Sequence, residues 1–103
     1  MTQFLVIYRA DPEATAAMPE PSPEEFQQMM AAWEGWAQTA GSAVVDFGNP
    51  TKPASEGADA SIGGYSVLEA EDYGALQQIL EGHPHAAMGG KLEVFEITPI
   101  AAM

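Results

Sequence analysis

The chain contains no cysteine, which removes disulfides, thiolate nucleophiles and thiolate metal ligands from consideration. Cations are nearly as scarce: Arg9, Lys52 and Lys91 stand against 15 acidic residues, for a formal charge of −12. So acidic a chain repels phosphate backbones and anionic lipid, so neither nucleic acid nor a membrane surface is an expected partner. Long hydrophobic runs are missing too. The apolar stretch Phe4–Tyr8 meets Arg9 at once and has no basic flank, unlike a signal peptide or a spanning helix, and a cytoplasmic protein is expected. A phosphate-cradling glycine loop is also lacking, because Gly89-Gly90 precedes a strand pattern instead of a helix; no nucleotide cofactor is implied.

What is present fits one folded domain, 1–103. The chain has 103 residues, 47% of them hydrophobic, with two Trp, three Tyr and four Phe. That is enough for one core and too little for a separate cofactor domain. Gln3–Tyr8 is a β-branched and aromatic run, read as a central strand buried on both faces. Arg9–Pro21, with three prolines and no apolar period, reads as an extended loop. Ser22-Pro23-Glu24-Glu25 carries an N-cap, a proline at the first helical position and a glutamate reaching back, the pattern of a capping box. Phe26, Met29, Met30, Trp33, Trp36, Ala37 and Ala40 then recur at spacings of three and four, one apolar stripe ended by Gly41.

Ser42–Phe47 reads as a short strand, followed by a long loop marked by Gly48, Pro50, Pro53, Ser55 and Gly57. Ile62–Ala70 resumes strand character, with Gly63-Gly64 suited to a bulge or a close backbone approach. A second helix follows Glu71 and Asp72, with Tyr73, Leu76, Ile79 and Leu80 on one face and Gly82 as its stop. Leu92–Ile97 is the last strand. The order β-α-β-β-α-β predicts an α+β ferredoxin-like sandwich with both helices on one sheet face. Since the strands also carry Leu5, Ile7, Phe95 and Ile97 on the other face, a homodimer with space for a small organic ligand is expected.

Three stretches carry a family resemblance: Ser22-Pro23-Glu24-Glu25 with the Met-Met-Ala-Ala-Trp run, Ile62-Gly63-Gly64-Tyr65-Ser66-Val67-Leu68-Glu69, and His83-Pro84-His85 through Glu93-Val94. Together they resemble the YCII-related family. The resemblance implies a dimeric α/β barrel of ferredoxin-like subunits and possible enzyme activity from a His and Asp pair. Two departures stand out. The Asp-Gly-Pro-Phe motif of one branch is absent between Phe47 and Ile62, and Phe95-Glu96 replaces the usual Arg-Pro after Glu-Val.

Proton-transfer chemistry near neutrality centres on the two histidines, the only side chains present that ordinarily titrate there. The candidate catalytic residues are His85, Asp46 and His83, with Asp46 orienting an imidazole or acting as a base; their structural alternatives are an ordinary turn residue for His85, a turn aspartate at a strand end for Asp46 and a helix cap for His83. His83, next to the helix stop, is expected to be the more exposed and replaceable of the pair, and His85 to face a polar-lined pocket. Helix-end carbonyls and the acidic chain both favour imidazolium. Tyr65 and Arg9 are candidate substrate-binding residues; cross-strand packing and an ion pair are their structural alternatives. Trp33 and Trp36 belong to the helix stripe and are expected in the core or an interface. Histidines two apart hold a metal only with a third ligand from elsewhere, and neither metal nor other cofactor is expected. Two functions follow: a small cofactor-free enzyme, which needs an imidazole facing a pocket within reach of a carboxylate, or a non-catalytic small-molecule or protein binding module, which needs only the pocket.

Overall fold

The computed structural model describes residues 1–100, the side chain of Thr15 set aside. Strand β1 (Thr2–Arg9) is central, and its alternation organises the sheet: Phe4, Val6 and Tyr8 are buried, while Leu5 and Ile7 on the opposite face are half-buried. A strand buried on both faces was the sequence expectation, and the single chain instead covers one face only. β1 pairs antiparallel with β3 (Ile62–Ala70) on one side and with β4 (Lys91–Glu96) on the other. The short β2 (Val44–Asp46) adds to β3, giving the order β2-β3-β1-β4, all antiparallel. This is the ferredoxin-like arrangement, in which each β-α-β unit is split by an inserted strand.

Two helices cover the Phe4/Val6/Tyr8 face. The longer, spanning Pro23–Ala40, begins at a capping box in which Ser22 Oγ accepts from the Glu25 N–H and Glu25 Oε1 accepts from the Ser22 N–H. It ends at Gly41, whose φ is 57°. The helix Tyr73–Leu80 is capped by Asp72, whose Oδ1 accepts from the Ala75 N–H. Trp36 and Leu76 pack with Phe4, Val6, Tyr8, Leu68 and Ala70 in one core, and Trp36 Nε1 donates to Ile79 O at 3.0 Å, tying the two helices together. Burying side chains of this size contributes about 1.5–3 kcal/mol each.

Two segments expected as loop or turn contain helix. Pro12–Ala17 forms a short helix, which becomes α1 with Pro23–Ala40 as α2. Asp11 Oδ1 accepts from the Glu13 N–H, and Pro12 occupies the first helical position, where its missing N–H costs nothing. Likewise Tyr73–Leu80 (α3) is followed by a one-turn helix α4 at Pro84–Ala87, again with proline at its start. The expected strand Ser42–Phe47 is shortened because Gly41–Ala43 continues α2 as a 3₁₀ turn.

The long loop after β2 is held to the sheet rather than swinging free. Thr51 N donates to Gly63 O, Ala10 N donates to Ser61 O, and Pro50 bridges Gly64. The register of β1 against β3 slips between Tyr8 and Arg9, leaving Gly63 as the extra residue of a bulge, as the Gly63-Gly64 pair predicts. Gly48 adopts φ 84°, and a Cβ there would overlap the Tyr65 carbonyl. Only glycine brings the chain this close to β3. No described helix is long and apolar enough to cross a membrane.

Candidate functional site

The apolar stripe of α2 is longer than the sheet it covers, and the surplus makes a cavity. Trp33, Trp36, Ala37 and Ala40 pack on the core, whereas Phe26 and Met30 lie beyond it, 52% and 41% exposed. Between this overhang, the end of β1 and β3, the Phe47–Pro50 loop and α4 lies a cavity of ≈ 470 Å³. Its walls are Tyr8, Phe26, Met29, Met30, Trp33 and Phe47, closed by Gly48, Asn49, Pro50, Gly63, Gly64, Tyr65 and His85. None of these is an Asp, Glu, Lys or Arg. The pocket is therefore apolar and aromatic, where a polar lining was expected.

His85 lies on a pocket, as expected, whereas His83, expected to be the more exposed of the pair, does not reach the surface. His83 is fully buried. Its ring centre lies 4.4 Å from that of Trp36, 4.7 Å from Trp33 and 5.1 Å from Tyr8. Pro84 starts α4, so the preceding residue becomes its N-cap, and His83 Nδ1 accepts from the His85 N–H at 3.1 Å. Accepting that bond leaves Nδ1 without a proton, and the neutral ring then carries its proton on Nε2, which is buried with no hydrogen-bond partner. The near-perpendicular packing on Trp33 presents ring edge to ring face, the geometry in which an N–H finds an indole π cloud. Burial first, and the nearby His85 second, lower the His83 pKa to about 4. The imidazolium favoured by the helix-end argument is thus overturned at this ring, because desolvation outweighs the helix-end carbonyls.

His85, half-buried, is the imidazole on the cavity wall. Its Nε2 lies 2.8 Å from the Arg9 carbonyl, and since a carbonyl only accepts, Nε2 bears the proton. Nδ1 has no bonded partner among the described residues. Tyr8 sits beside it, with ring centres 5.4 Å apart. The Tyr8 hydroxyl and Ser66 Oγ are 2.6 Å apart, and Ser66 donates onward to Phe47 O, so Tyr8 is the donor of the pair. Burial raises the Tyr8 pKa further than the Ser66 bond lowers it, and the phenol stays protonated. Ser66 escaped notice in the sequence. The signal was a lone hydroxyl at an inward-alternating position of β3.

Asp46 is not brought to either imidazole. It is exposed at the end of β2, and its Oδ1 accepts from the Gly48 N–H two residues on, a local turn bond. The Arg9 side chain is likewise committed. Its Nη1 donates to Asp59 Oδ2 and Ser61 Oγ, both at 2.7 Å, and its Nη2 donates to Glu93 Oε1 at 3.1 Å. The Ser61 hydroxyl and then Arg9 hold the Asp59 carboxyl below its ordinary range. Arg9 therefore anchors the loop, the ion-pair alternative, and contributes its backbone carbonyl to the site. Tyr65 borders the cavity from an outward-alternating position opposite Ile7. Among the described residues no group of three His, Asp or Glu is placed to hold a metal.

Compared with known proteins, the chain matches no family model and no curated protein. Among solved structures it resembles 5-chloro-2-hydroxyhydroquinone dehydrochlorinase (TftG) of Burkholderia phenoliruptrix AC1100, solved with 2,5-dihydroxybenzoquinone. The TM-score is 0.61, with 19% identity over 93% of each chain. At that identity the likeness shows a shared fold.

His83 gives a pH signature. Its folded pKa of about 4 lies below the ordinary 6.5, so between these values the unfolded chain binds a proton that the folded chain does not. Stability therefore falls as pH falls through that window, by about 2–3 kcal/mol from pH 7 to pH 4.5. Asp59 adds its own loss only in the more acidic range. Urea unfolding at the two pH values should show this loss in the wild type and little of it in His83→Leu; equal losses in both proteins would contradict the assignment.

Proposed function

We propose that this protein is a small cofactor-free enzyme that performs acid–base chemistry on a small organic compound, with His85 moving the proton. The observation that carries this reading is the seating of His85: its Nε2–H is held by the Arg9 carbonyl on the wall of the apolar cavity, and Nδ1 is left unpaired. A backbone carbonyl fixes an imidazole's tautomer much as a carboxylate does, though it stabilises imidazolium less. Asp46, the partner expected by analogy with a His and Asp pair, plays no part here. In the proposed step Nδ1 accepts a proton from a hydroxyl or an activated C–H of the ligand and returns it elsewhere on the molecule or to a departing group. This is the chemistry of an isomerase or lyase. His83 acts only through the bond that positions α4.

The lining also narrows the ligand. With Tyr8, Trp33, Phe26 and Phe47 around it and no cation facing it, the cavity favours an uncharged aromatic compound bearing a hydroxyl or carbonyl. The Arg9 guanidinium is occupied by two carboxylates, and the charge of −12 opposes an anion. A hydroxylated aromatic is also consistent with the quinone held by the structural neighbour. The rival reading, a binding module, draws on the absence of a carboxylate at His85. Tryptophan fluorescence tests the ligand class: 2-naphthol should quench Trp33 and bind at least about tenfold more tightly than 2-naphthoate. Equal binding of the two would refute the ligand class. With a turned-over hydroxyaromatic, His85→Ala should reduce kcat by about 10²–10⁴ with little change in melting temperature; unchanged turnover would leave the binding module.

We also propose that the chain works as a homodimer, a second copy covering the open sheet face. Leu5 pairs directly with both Val67 and Phe95 there, beside Ile7, and Phe95 is 50% exposed. Sheet-to-sheet association of this kind buries on the order of 1,200–2,000 Å² in a specific complex. Light scattering at micromolar concentration should return twice the chain mass, falling to one chain for Leu5→Glu. A monomeric wild type would sink the proposal.

A further inference from the structure

We infer that Gly90 is the positioning residue for His85, holding its imidazole against the Arg9 carbonyl so that Nδ1 is the free nitrogen; this rests on the reading of His85 given above. The α4 turn is closed without any need for a glycine at this position. Gly89, at φ 89°, takes the left-handed conformation and donates to Ala86 O, and it is the residue whose backbone excludes side chains. Gly90 donates to His85 O at 2.9 Å and has no positive φ, so its backbone suits any L residue. What forbids a side chain there is the His85 ring. A Cβ on Gly90 would overlap Nε2 and Cε1 and lie 2.6 Å from Cδ2.

The ring is thus confined by three neighbours. Tyr8 packs at 5.4 Å, tilted by 56°, the bare backbone of Gly90 leaves no room for a Cβ beside the ring, and Arg9 O takes the proton of Nε2. With Cβ present, the ring must rotate or withdraw, Nε2 loses the carbonyl, and the two neutral tautomers become comparable. Adjacent glycines therefore have separable duties. Gly89 serves the chain's path, and Gly90 serves the imidazole.

Long-range ¹H–¹⁵N spectra of the two histidine rings at pH 8 test this without a substrate. In the wild type the His85 nitrogens should be widely separated, the signature of one Nε2–H tautomer, with the assignment made by the signal lost in His85→Ala. Gly90→Ala should bring the two shifts together. Gly89→Ala should lower the melting temperature through backbone strain and leave the His85 pattern as in the wild type. Should Gly90→Ala fold poorly, the double variant His85→Ala/Gly90→Ala is decisive, because removing the ring removes the clash: it should melt higher than Gly90→Ala alone. A wild-type imidazole pattern in Gly90→Ala, or a double variant no more stable than the single, would overturn the inference. Either failure is distinct from a failure of the proposed function, which is read in ligand binding and turnover.

Discussion

The site depends on one hydrogen bond inside an aromatic cage: the backbone N–H of His85 donates to Nδ1 of His83. That bond exists only while His83 is neutral, and the ring is kept neutral by Trp33, Trp36 and Tyr8, which exclude the water that would stabilise its charge. It also starts α4, because Pro84 has no N–H of its own and the next amide must find an acceptor. Core packing and site geometry are therefore the same contact. A fully buried imidazole sets the backbone of the one on the cavity wall.

From that contact the rest follows outward. Trp33 both packs on His83 and lines the cavity, so the cavity wall is a continuation of the core. Tyr8 is shared in the same way, packing on both imidazoles and anchoring Ser66 and Phe47 through its hydroxyl. The ion pairs of Arg9 sit at the edge of this assembly. They fix the loop ending at Ser61 and the end of β1, and so the carbonyl on which His85 rests. In a chain this acidic, using its one arginine so spares the cavity any cation, which agrees with an uncharged ligand.

Local chemistry made most of the fold legible from sequence. The capping box at Ser22, the stop at Gly41, the alternation of Phe4, Val6 and Tyr8, and the Gly63 bulge each follow from neighbouring residues alone. The site was legible in part, since the histidines were singled out and His85 was expected on a pocket, but His83 was expected at the surface and is buried. Proximity in sequence put His83 at an exposed helix end, whereas tertiary packing of α2 over β1 supplied a cage that no local pattern announces. For Asp46 the turn alternative is the one found: a carboxylate at a strand end satisfies the amide two residues on before it can reach across the fold. The cavity itself was present in the sequence as an apolar stripe, but nothing local shows that the stripe outruns the sheet and leaves Phe26, Met29 and Met30 to wall a cavity.

A crystal structure of the protein with 2-naphthol tests the central claim most directly. The account predicts the naphthyl ring between Tyr8 and Trp33, its hydroxyl within about 3 Å of His85 Nδ1, and His85 Nε2 still on the Arg9 carbonyl. Ligand bound on the open sheet face, or His85 turned so that Nδ1 faces Arg9, would contradict it.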